Sequence, residues 1–275
     1  MTPETLHTIN GVRICAQTFG SPEDPAILLI HGASASMVWW EAELCRRIAA
    51  AGRYVIRYDQ RDTGRSVTYP VGEPGYTSTD LTLDAIGLLD ALRVQRAHVV
   101  GRSMSGAIAL GAALDHADRV STLTLVSTST GDLPFGHVEA PGMPGMPGMA
   151  NDDDAVDYIV AAIRAYAGRS PHFDEAEVRA LAAQDVARSV DLTAAMVNHF
   201  RMEFVAPQGG SYRDVRVPTL VVQGECDPVF GVPHGQALHE AIAGSQLVVL
   251  RGSGHDVLRP AWDQFVPALV RHTAS

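Results

Sequence analysis

A serine at position 103 lies in the segment Gly-Arg-Ser-Met-Ser-Gly, between a predicted strand and a predicted helix. A sharp strand-to-helix turn exposes a serine hydroxyl at the sheet edge, and the helix N-terminus behind it favours developing negative charge. Gly101 and Gly106 are small enough for the strand and helix backbones to approach closely. The segment predicts Ser103 as a nucleophile, and a glycine-rich turn without chemistry is the alternative.

The segment departs from the usual G-x-S-x-G form at one position, because Ser105 replaces the last glycine. Serine is also small, so we expect the turn to be kept with slight crowding. Ser105 is not expected to be the nucleophile, since it would lie inside the first helical turn rather than at its apex.

Two partners for Ser103 follow later in the chain, each after a predicted buried strand: Asp227 and then His255. The carboxyl ends of parallel strands meet at one sheet edge, so these residues should converge. Histidine can remove the proton of a serine hydroxyl near pH 7, and a carboxylate fixes the tautomer of the ring. We predict Ser103, Asp227 and His255 as the catalytic residues. Glu225 competes for the acid role, but Pro228 sets a turn directly after Asp227.

An oxyanion hole needs two N–H donors near the nucleophile. We predict the N–H of Met104 and that of Ala33, which lies in the loop 31–34 after the first buried strand. Each such donor contributes roughly 2.7–4 kcal/mol to stabilising a tetrahedral intermediate. His31 in the same loop is expected to be structural rather than a general base.

Strands and helices alternate along most of the chain, which predicts an α/β protein with a mostly parallel central sheet and helices on both faces. A hairpin with a turn at Asn10-Gly11 precedes this alternation. Strands are predicted at 5–9, 12–19, 26–30, 54–56, 98–100, 123–126, 219–222 and 247–250, and helices at 37–51, 81–92, 107–113, 235–243 and from 261 onward.

The alternation stops between residues 131 and 213, where three helical stretches replace the strands. We predict a core formed by 1–130 and 214–275, with 131–213 inserted as a helical cap. The insert begins with Pro-Gly-Met repeated over 141–149, which excludes regular structure. This loop is either a solvated linker or a lip that offers methionine side chains to a substrate, namely Met143, Met146 and Met149.

The composition restricts the partners. The 275 residues carry a net charge of −10, which disfavours nucleic acid and anionic lipid. No secretory signal and no apolar run of membrane-spanning length is visible. Cys15, Cys45 and Cys226 match no zinc spacing and are expected to be free thiols. We expect a cytoplasmic monomer or homodimer that binds a small-molecule ester, without a metal or cofactor.

Several other residues have two interpretations. Trp39 and Trp40 could line the acyl pocket or pack in the core, and Phe230 could face the pocket entrance. An acidic and basic group at 59–62, Asp59, Arg61 and Asp62, is expected to form a buried ion pair beside the nucleophile turn rather than to supply catalytic acids. A pair of histidines, His234 and His239, would point to different faces of one helix, so we expect a solvated helix surface rather than a metal site.

With these motifs in place, the chain resembles α/β-hydrolases throughout. Within them it is similar to esterases that act on polyketide antibiotics, such as aclacinomycin methylesterase and related macrolide esterases. The matching segments are 57–66 (RYDQRDTGRS), 97–101 (AHVVG), 103–104 (SM) and 217–221 (VPTLV). The resemblance implies the same triad and oxyanion donors. It also implies a carbomethoxy ester of a polyketide or a macrolide lactone as substrate. Ala33 and Ser105 depart from it, since both replace glycine.

The leading hypothesis is therefore a serine-dependent carboxylic-ester hydrolase that works through an acyl-serine intermediate. Cofactor-free perhydrolysis (haloperoxidase activity), carbon–carbon bond hydrolysis and acyl transfer would use the same residues. A ligand-binding protein that retains the fold is the third possibility, and the complete triad argues against it.

Overall fold

The computed structural model describes residues 1–136 and 151–274. The predicted Met143 and Met146 lie outside these residues. Within them, one sheet is built from eight strands, which are β1 Thr5–Ile9, β2 Val12–Phe19, β3 Ala26–Ile30, β4 Tyr54–Tyr58, β5 Ala97–Arg102, β6 Val120–Val126, β7 Thr219–Gly224 and β8 Gln246–Leu250.

The strand order in the sheet is β1-β2-β4-β3-β5-β6-β7-β8. The β1–β2 hairpin and the β2–β4 pair are antiparallel, and every other pair is parallel. The hairpin turns at Asn10-Gly11, where both residues have positive φ angles. The carboxyl ends of β3 to β8 therefore share one edge, as the sequence predicted.

Eight helices are present in the described residues: α1 Ala42–Ala50, α2 Ser78–Ala91, α3 Ser105–Asp115, α4 Asp152–Ala167, α5 Glu175–Arg188, α6 Leu192–Asn198, α7 Val232–Ala241 and α8 Trp262–His272. Helices α2, α3 and α7 cover one face of the sheet, while α1 and α8 cover the other. Strand β3 shows why a central strand is apolar throughout. Leu28 and Ile30 pack on the first face, and Ile27 and Leu29 on the second.

The predicted helix over 37–51 is wrong in its first part. A 3-10 turn spans Met37–Trp39, the chain extends through Trp40 and Glu41, and α1 begins at Ala42. The buried guanidinium of Arg57 explains the break. It donates to the carbonyl oxygens of Met37 and Trp40 at 3.3 and 2.5 Å, so these acceptors are directed away from a helical ladder.

Helices α4, α5 and α6 lie between β6 and β7 in the chain. Each begins at an Asn or Asp side chain that accepts a hydrogen bond from the first turn, as helix N-termini require. Helices α4 and α5 pack together through an apolar cluster of their own, which consists of Val156, Ile159, Val160, Val178 and Ala182.

The predicted buried ion pair at residues 59–62 is confirmed for Asp59 and Arg61, and both partners lie on distant helices. Asp59 contacts Arg188 of α5, with both guanidinium nitrogens 2.8 Å from its carboxylate oxygens. Arg61 instead contacts Asp84 of α2 at 2.6 Å. Asp62 accepts hydrogen bonds from Tyr76, Asn198 and the backbone. The sequence did not indicate these partners, because the fold directs the side chains to distant helices.

Helix α5 is attached to the core by buried charge. Arg188 and Asp59 are almost fully enclosed, with side chains 4% and 0% exposed. One turn earlier, Asp185 accepts a hydrogen bond from Trp39 Nε1 at 2.7 Å and another from the hydroxyl of Ser36. No described helix is both long and apolar enough to cross a bilayer.

We expect Arg188→Met to lower the free energy of unfolding by about 3–5 kcal/mol, because it leaves the Asp59 carboxylate buried without its cation. Urea denaturation followed by circular dichroism measures this change. Arg179→Met is the matched control on the same helix, since Arg179 pairs with Asp157 in solvent. Equal shifts of the urea midpoint in the two variants would contradict the anchoring role of Arg188.

Candidate active site

Ser103 lies at the apex of the turn between β5 and α3, with a positive φ of 53°. Non-glycine residues rarely adopt this conformation. The backbones around this turn approach each other closely and impose this φ angle on Ser103. A Cβ at position 101 would collide with the carbonyl of Ser105, and one at position 106 would collide with Thr128. The Ser103 backbone is also hydrogen-bonded, its N–H to Val126 O at 2.9 Å and its carbonyl to Thr128 Oγ1 at 2.8 Å.

The structure brings the three predicted catalytic side chains together. The Oγ atom of Ser103 is 3.0 Å from Nε2 of His255. Nδ1 of His255 is 2.9 Å from Oδ2 of Asp227. The side chains of His255 and Asp227 are 6% and 0% exposed, so water competes little for these hydrogen bonds.

Asp227 is held as an acceptor. Its Oδ1 atom accepts from the N–H groups of Val229 and Phe230 at 2.8 and 2.9 Å, and Oδ2 also accepts from Gln223 at 3.1 Å. Burial raises the pKa of this carboxyl, but the contact with the His255 ring and the hydrogen bonds from the N–H groups of Phe230 and Val229 outweigh burial and leave the pKa below its ordinary value. An ionised Asp227 requires the proton on Nδ1 of His255, so Nε2 presents a lone pair to Ser103.

Glu225, the competing acid in the sequence, is directed elsewhere. It is exposed, and its carboxylate accepts from the N–H of Gly252 at 2.8 Å. Of the two acidic residues, only Asp227 contacts His255 within the described part of the chain.

The loop after β3 runs directly against the nucleophile. A Cβ at Gly32 would lie 3.0 Å from Cβ of Ser103. The N–H groups of Ala33 and Met104, the two predicted oxyanion donors, have no acceptor among residues 1–136 and 151–274. The next N–H in the loop, that of Ser34, donates to Nδ1 of His199 at 3.0 Å. Two N–H groups in segments adjacent to Ser103 therefore have no acceptor in the described part of the chain.

Ser105 does more than fill the place of a glycine. Its side chain is buried, and its hydroxyl donates to the carbonyl oxygen of His31 at 2.5 Å. Gln60 donates to the same carbonyl at 2.8 Å. The residue that departs from the usual motif thus connects α3 to the loop that carries Ala33.

Sequence reasoning missed several polar residues around this site. Arg102 is the last residue of β5 and Gln223 the last but one of β7, and both are buried. A polar residue at the carboxyl end of a buried strand was the available signal. His199 has no such local pattern. It reaches the loop after β3 from the end of α6, and its Nε2 atom donates to the carbonyl of Arg61 at 2.9 Å.

The predicted substrate contacts differ in their surroundings. Trp40 is 1% exposed and stacks on Phe265, so core packing describes it. Trp39 is half-buried, and it packs against the cluster of α4 and α5. Phe230 is also half-buried, with its ring centroid 5.5 Å from that of His255. Met143 and Met146 lie outside the described residues.

The prediction of a solvated surface for the two histidines of α7 is wrong for His234. His234 is buried, and its Nδ1 atom is 2.7 Å from the hydroxyl of Ser129. His239 is exposed. The described residues contain no group of three or more His, Cys, Asp or Glu side chains arranged to hold a metal ion.

The chain is similar in sequence and in fold to known proteins. It is 30% identical to the rhodomycin D methylesterase DauP of Streptomyces sp. (strain C5), with 98% of each chain covered. The rhodomycin D methylesterase DnrP of Streptomyces peucetius is 29% identical, again over 98% of each chain. The enol-lactonase of Burkholderia xenovorans LB400 shares the fold, with a TM-score of 0.77, 24% identity and coverage of 98% and 100%. Residues 25–258 match the family described as the alpha/beta hydrolase fold, and the chain belongs to that family.

Proposed function

We propose that this chain, a carboxylic-ester hydrolase of the alpha/beta hydrolase fold, acts through an acyl-serine intermediate on Ser103. The single observation that carries the proposal is the continuous hydrogen-bond chain from Ser103 Oγ through the His255 ring to Asp227, with distances of 3.0 and 2.9 Å. These distances are within the range for direct proton transfer.

The reaction begins when Nε2 of His255 takes the proton of Ser103 while Oγ attacks the ester carbon. The N–H groups of Ala33 and Met104 stabilise the negative oxygen of the tetrahedral intermediate. The ester C–O bond then breaks, and the leaving alkoxide takes the proton from His255. A water molecule, deprotonated by the same ring, then attacks the acyl carbon. The bond from that carbon to Oγ breaks, Oγ takes the proton back from His255, and the carboxylic acid leaves.

The proposed substrate is a methyl ester on a bulky, fused-ring polyketide. Its support comes from two methylesterase relatives that match the chain over nearly its whole length. It also comes from aromatic side chains beside the catalytic ring. Phe230 lies between His255 and Phe135, with ring centroids 5.5 and 5.4 Å away, and Phe135 is 63% exposed. Such rings offer apolar and edge-to-face contacts to the ring system of a polycyclic ester.

We propose residues 131–213 as the cap of this site. Helix α4 ends against the catalytic histidine: the N–H of His255 donates to the carbonyl of Tyr166 at 3.0 Å. The Tyr166 and His255 ring centroids are 5.6 Å apart. A movement of α4 would therefore directly displace His255, the proposed base.

Ser103→Ala should lower kcat by about 10⁴-fold or more on a fused-ring methyl ester, because no other group supplies the acyl-accepting oxygen. Methanol release measures kcat. The mass of the product identifies the reaction, since methyl-ester cleavage leaves an acid whereas macrolactone opening adds one water to the parent. A fluorophosphonate should label the wild type and Ser21→Ala, a surface-serine control, but not Ser103→Ala. Equal labelling of all three proteins would refute the nucleophile.

Asp227→Asn should lower kcat by about 10⁴-fold, because the amide favours the wrong tautomer of His255. It should also change stability with pH. A carboxyl whose folded pKa lies below the ordinary 3.8 stabilises the fold above that value and loses this contribution as the pH falls through the folded pKa.

The wild type should therefore exceed Asp227→Asn in free energy of unfolding at pH 6, and the difference should narrow below pH 3.8. Urea denaturation at both pH values measures it. Asp263→Asn is the control, because the Asp263 side chain is 90% exposed. A constant difference for Asp227→Asn across this range would contradict an ionised Asp227.

Phe230→Leu should raise KM for a fused-ring methyl ester roughly 2- to 10-fold, since an aromatic contact contributes about 0.5–1.5 kcal/mol. The N–H of residue 230 that binds Asp227 is retained in this variant. A small methyl ester without rings should be hydrolysed at the wild-type kcat and KM. Phe204→Leu is the control at an exposed phenylalanine outside the site. An unchanged KM for both esters would exclude Phe230 as a substrate contact.

A further inference from the structure

Arg102, the residue directly before the proposed nucleophile, carries a buried charge with an unusual set of partners. Its side chain is 6% exposed, and its Nη2 atom is 2.7 Å from Oδ1 of Asp256, which is 7% exposed. Removing both charges from water is costly. Packing alone therefore does not explain why Arg102 and Asp256 form a buried ion pair at the end of β5.

The guanidinium also contacts two of the loops that form the site. Its Nε and Nη2 atoms donate to the carbonyl oxygen of His255 at 3.3 and 3.2 Å. Its Nη1 atom lies 3.0 Å from Nε2 of His31, in the loop that carries Ala33. Arg102 is also the residue directly before Ser103 in the chain. Its guanidinium group therefore connects the proposed nucleophile, the proposed base and the loop 31–34, which carries Ala33 and is called the oxyanion loop below.

The charge state of His31 suits this arrangement. A guanidinium can only donate, so the facing nitrogen of the imidazole must accept. Burial, the charge of Arg102 and the neighbouring ring of His255 together hold the pKa of His31 well below its ordinary value. His31 is therefore a neutral acceptor, and the contact with Arg102 is a hydrogen bond rather than a repulsion between two cations.

We propose that Arg102, braced by Asp256, is a positioning residue that holds the His255 loop and the oxyanion loop in register around Ser103. The proposal rests on the proposed function. Small displacements at a reacting centre cost about 10²-fold in rate, so the loss should appear in kcat. The Arg102 side chain is only 6% exposed and its guanidinium is occupied by protein partners, so we expect KM to change little.

The first test compares Arg102→Met with the wild type on one methyl ester, with kcat expressed per serine titrated by a fluorophosphonate. Unfolded protein does not react with the fluorophosphonate, so it does not contribute to the enzyme concentration from which kcat is calculated. We expect kcat to fall 10- to 100-fold, with KM within about 3-fold of the wild type. Arg53→Met is the matched control, because Arg53 is also buried and donates to carbonyl groups, at the opposite end of the sheet. Its kcat per titrated serine should equal that of the wild type.

A second comparison separates positioning from general stability. The double variant Arg102→Met/Asp256→Leu should lose no more kcat than Arg102→Met alone, because either change already releases the loops. Arg102→Lys keeps the charge but has no fork, so it should fall between the wild type and Arg102→Met. It also serves as the test where Arg102→Met does not fold.

The outcomes distinguish the two proposals. A wild type that neither reacts with the fluorophosphonate nor hydrolyses the ester would refute the proposed function. An active wild type with an unchanged kcat per titrated serine in Arg102→Met, or in Arg102→Lys where only that variant folds, would refute the positioning role alone. A double variant Arg102→Met/Asp256→Leu that loses clearly more kcat than Arg102→Met alone would refute the positioning role as well.

Discussion

The hydrogen bond between Nε2 of His255 and Oγ of Ser103 is the interaction on which the proposed chemistry depends. It joins residues 152 positions apart in the chain across 3.0 Å. No local preference can set such a distance. It follows from β5, β7 and β8, which are parallel and end at one edge, and from a turn that forces Ser103 into a positive φ angle. The fold therefore holds Ser103 in a strained backbone conformation within hydrogen-bonding distance of the His255 ring.

Buried ion pairs determine how the loops around this edge are oriented. Arg61–Asp84, Arg188–Asp59 and Arg102–Asp256 are all enclosed, with side chains no more than 7% exposed. The cost of removing charges from water offsets most of their mutual attraction, so such pairs add little net stability. A misplaced partner, in contrast, is heavily penalised. These pairs therefore specify which helix and which loop lie against each other.

Three side chains hold the loop 31–34, which carries the proposed oxyanion donor Ala33. None of these three residues is specified by the usual G-x-S-x-G motif. Ser105 binds a carbonyl group of the loop from α3, Arg102 binds the ring of His31, and His199 accepts the N–H of Ser34 from the end of α6. Donors that are fixed before the reaction need no reorganisation when charge develops. The His199 contact also connects the helices between β6 and β7 to the loop that carries Ala33.

The sequence by itself determined the elements and the candidate triad, because strand periodicity and the residues of a strand-to-helix turn act over a few positions. The same local signals could not show that Trp40 packs in the core or that His234 is buried. They also left open the partner of Asp59, which is Arg188 on a helix 129 positions away. Partners of buried polar groups are chosen by the packing of distant segments, and only the tertiary structure decides that packing.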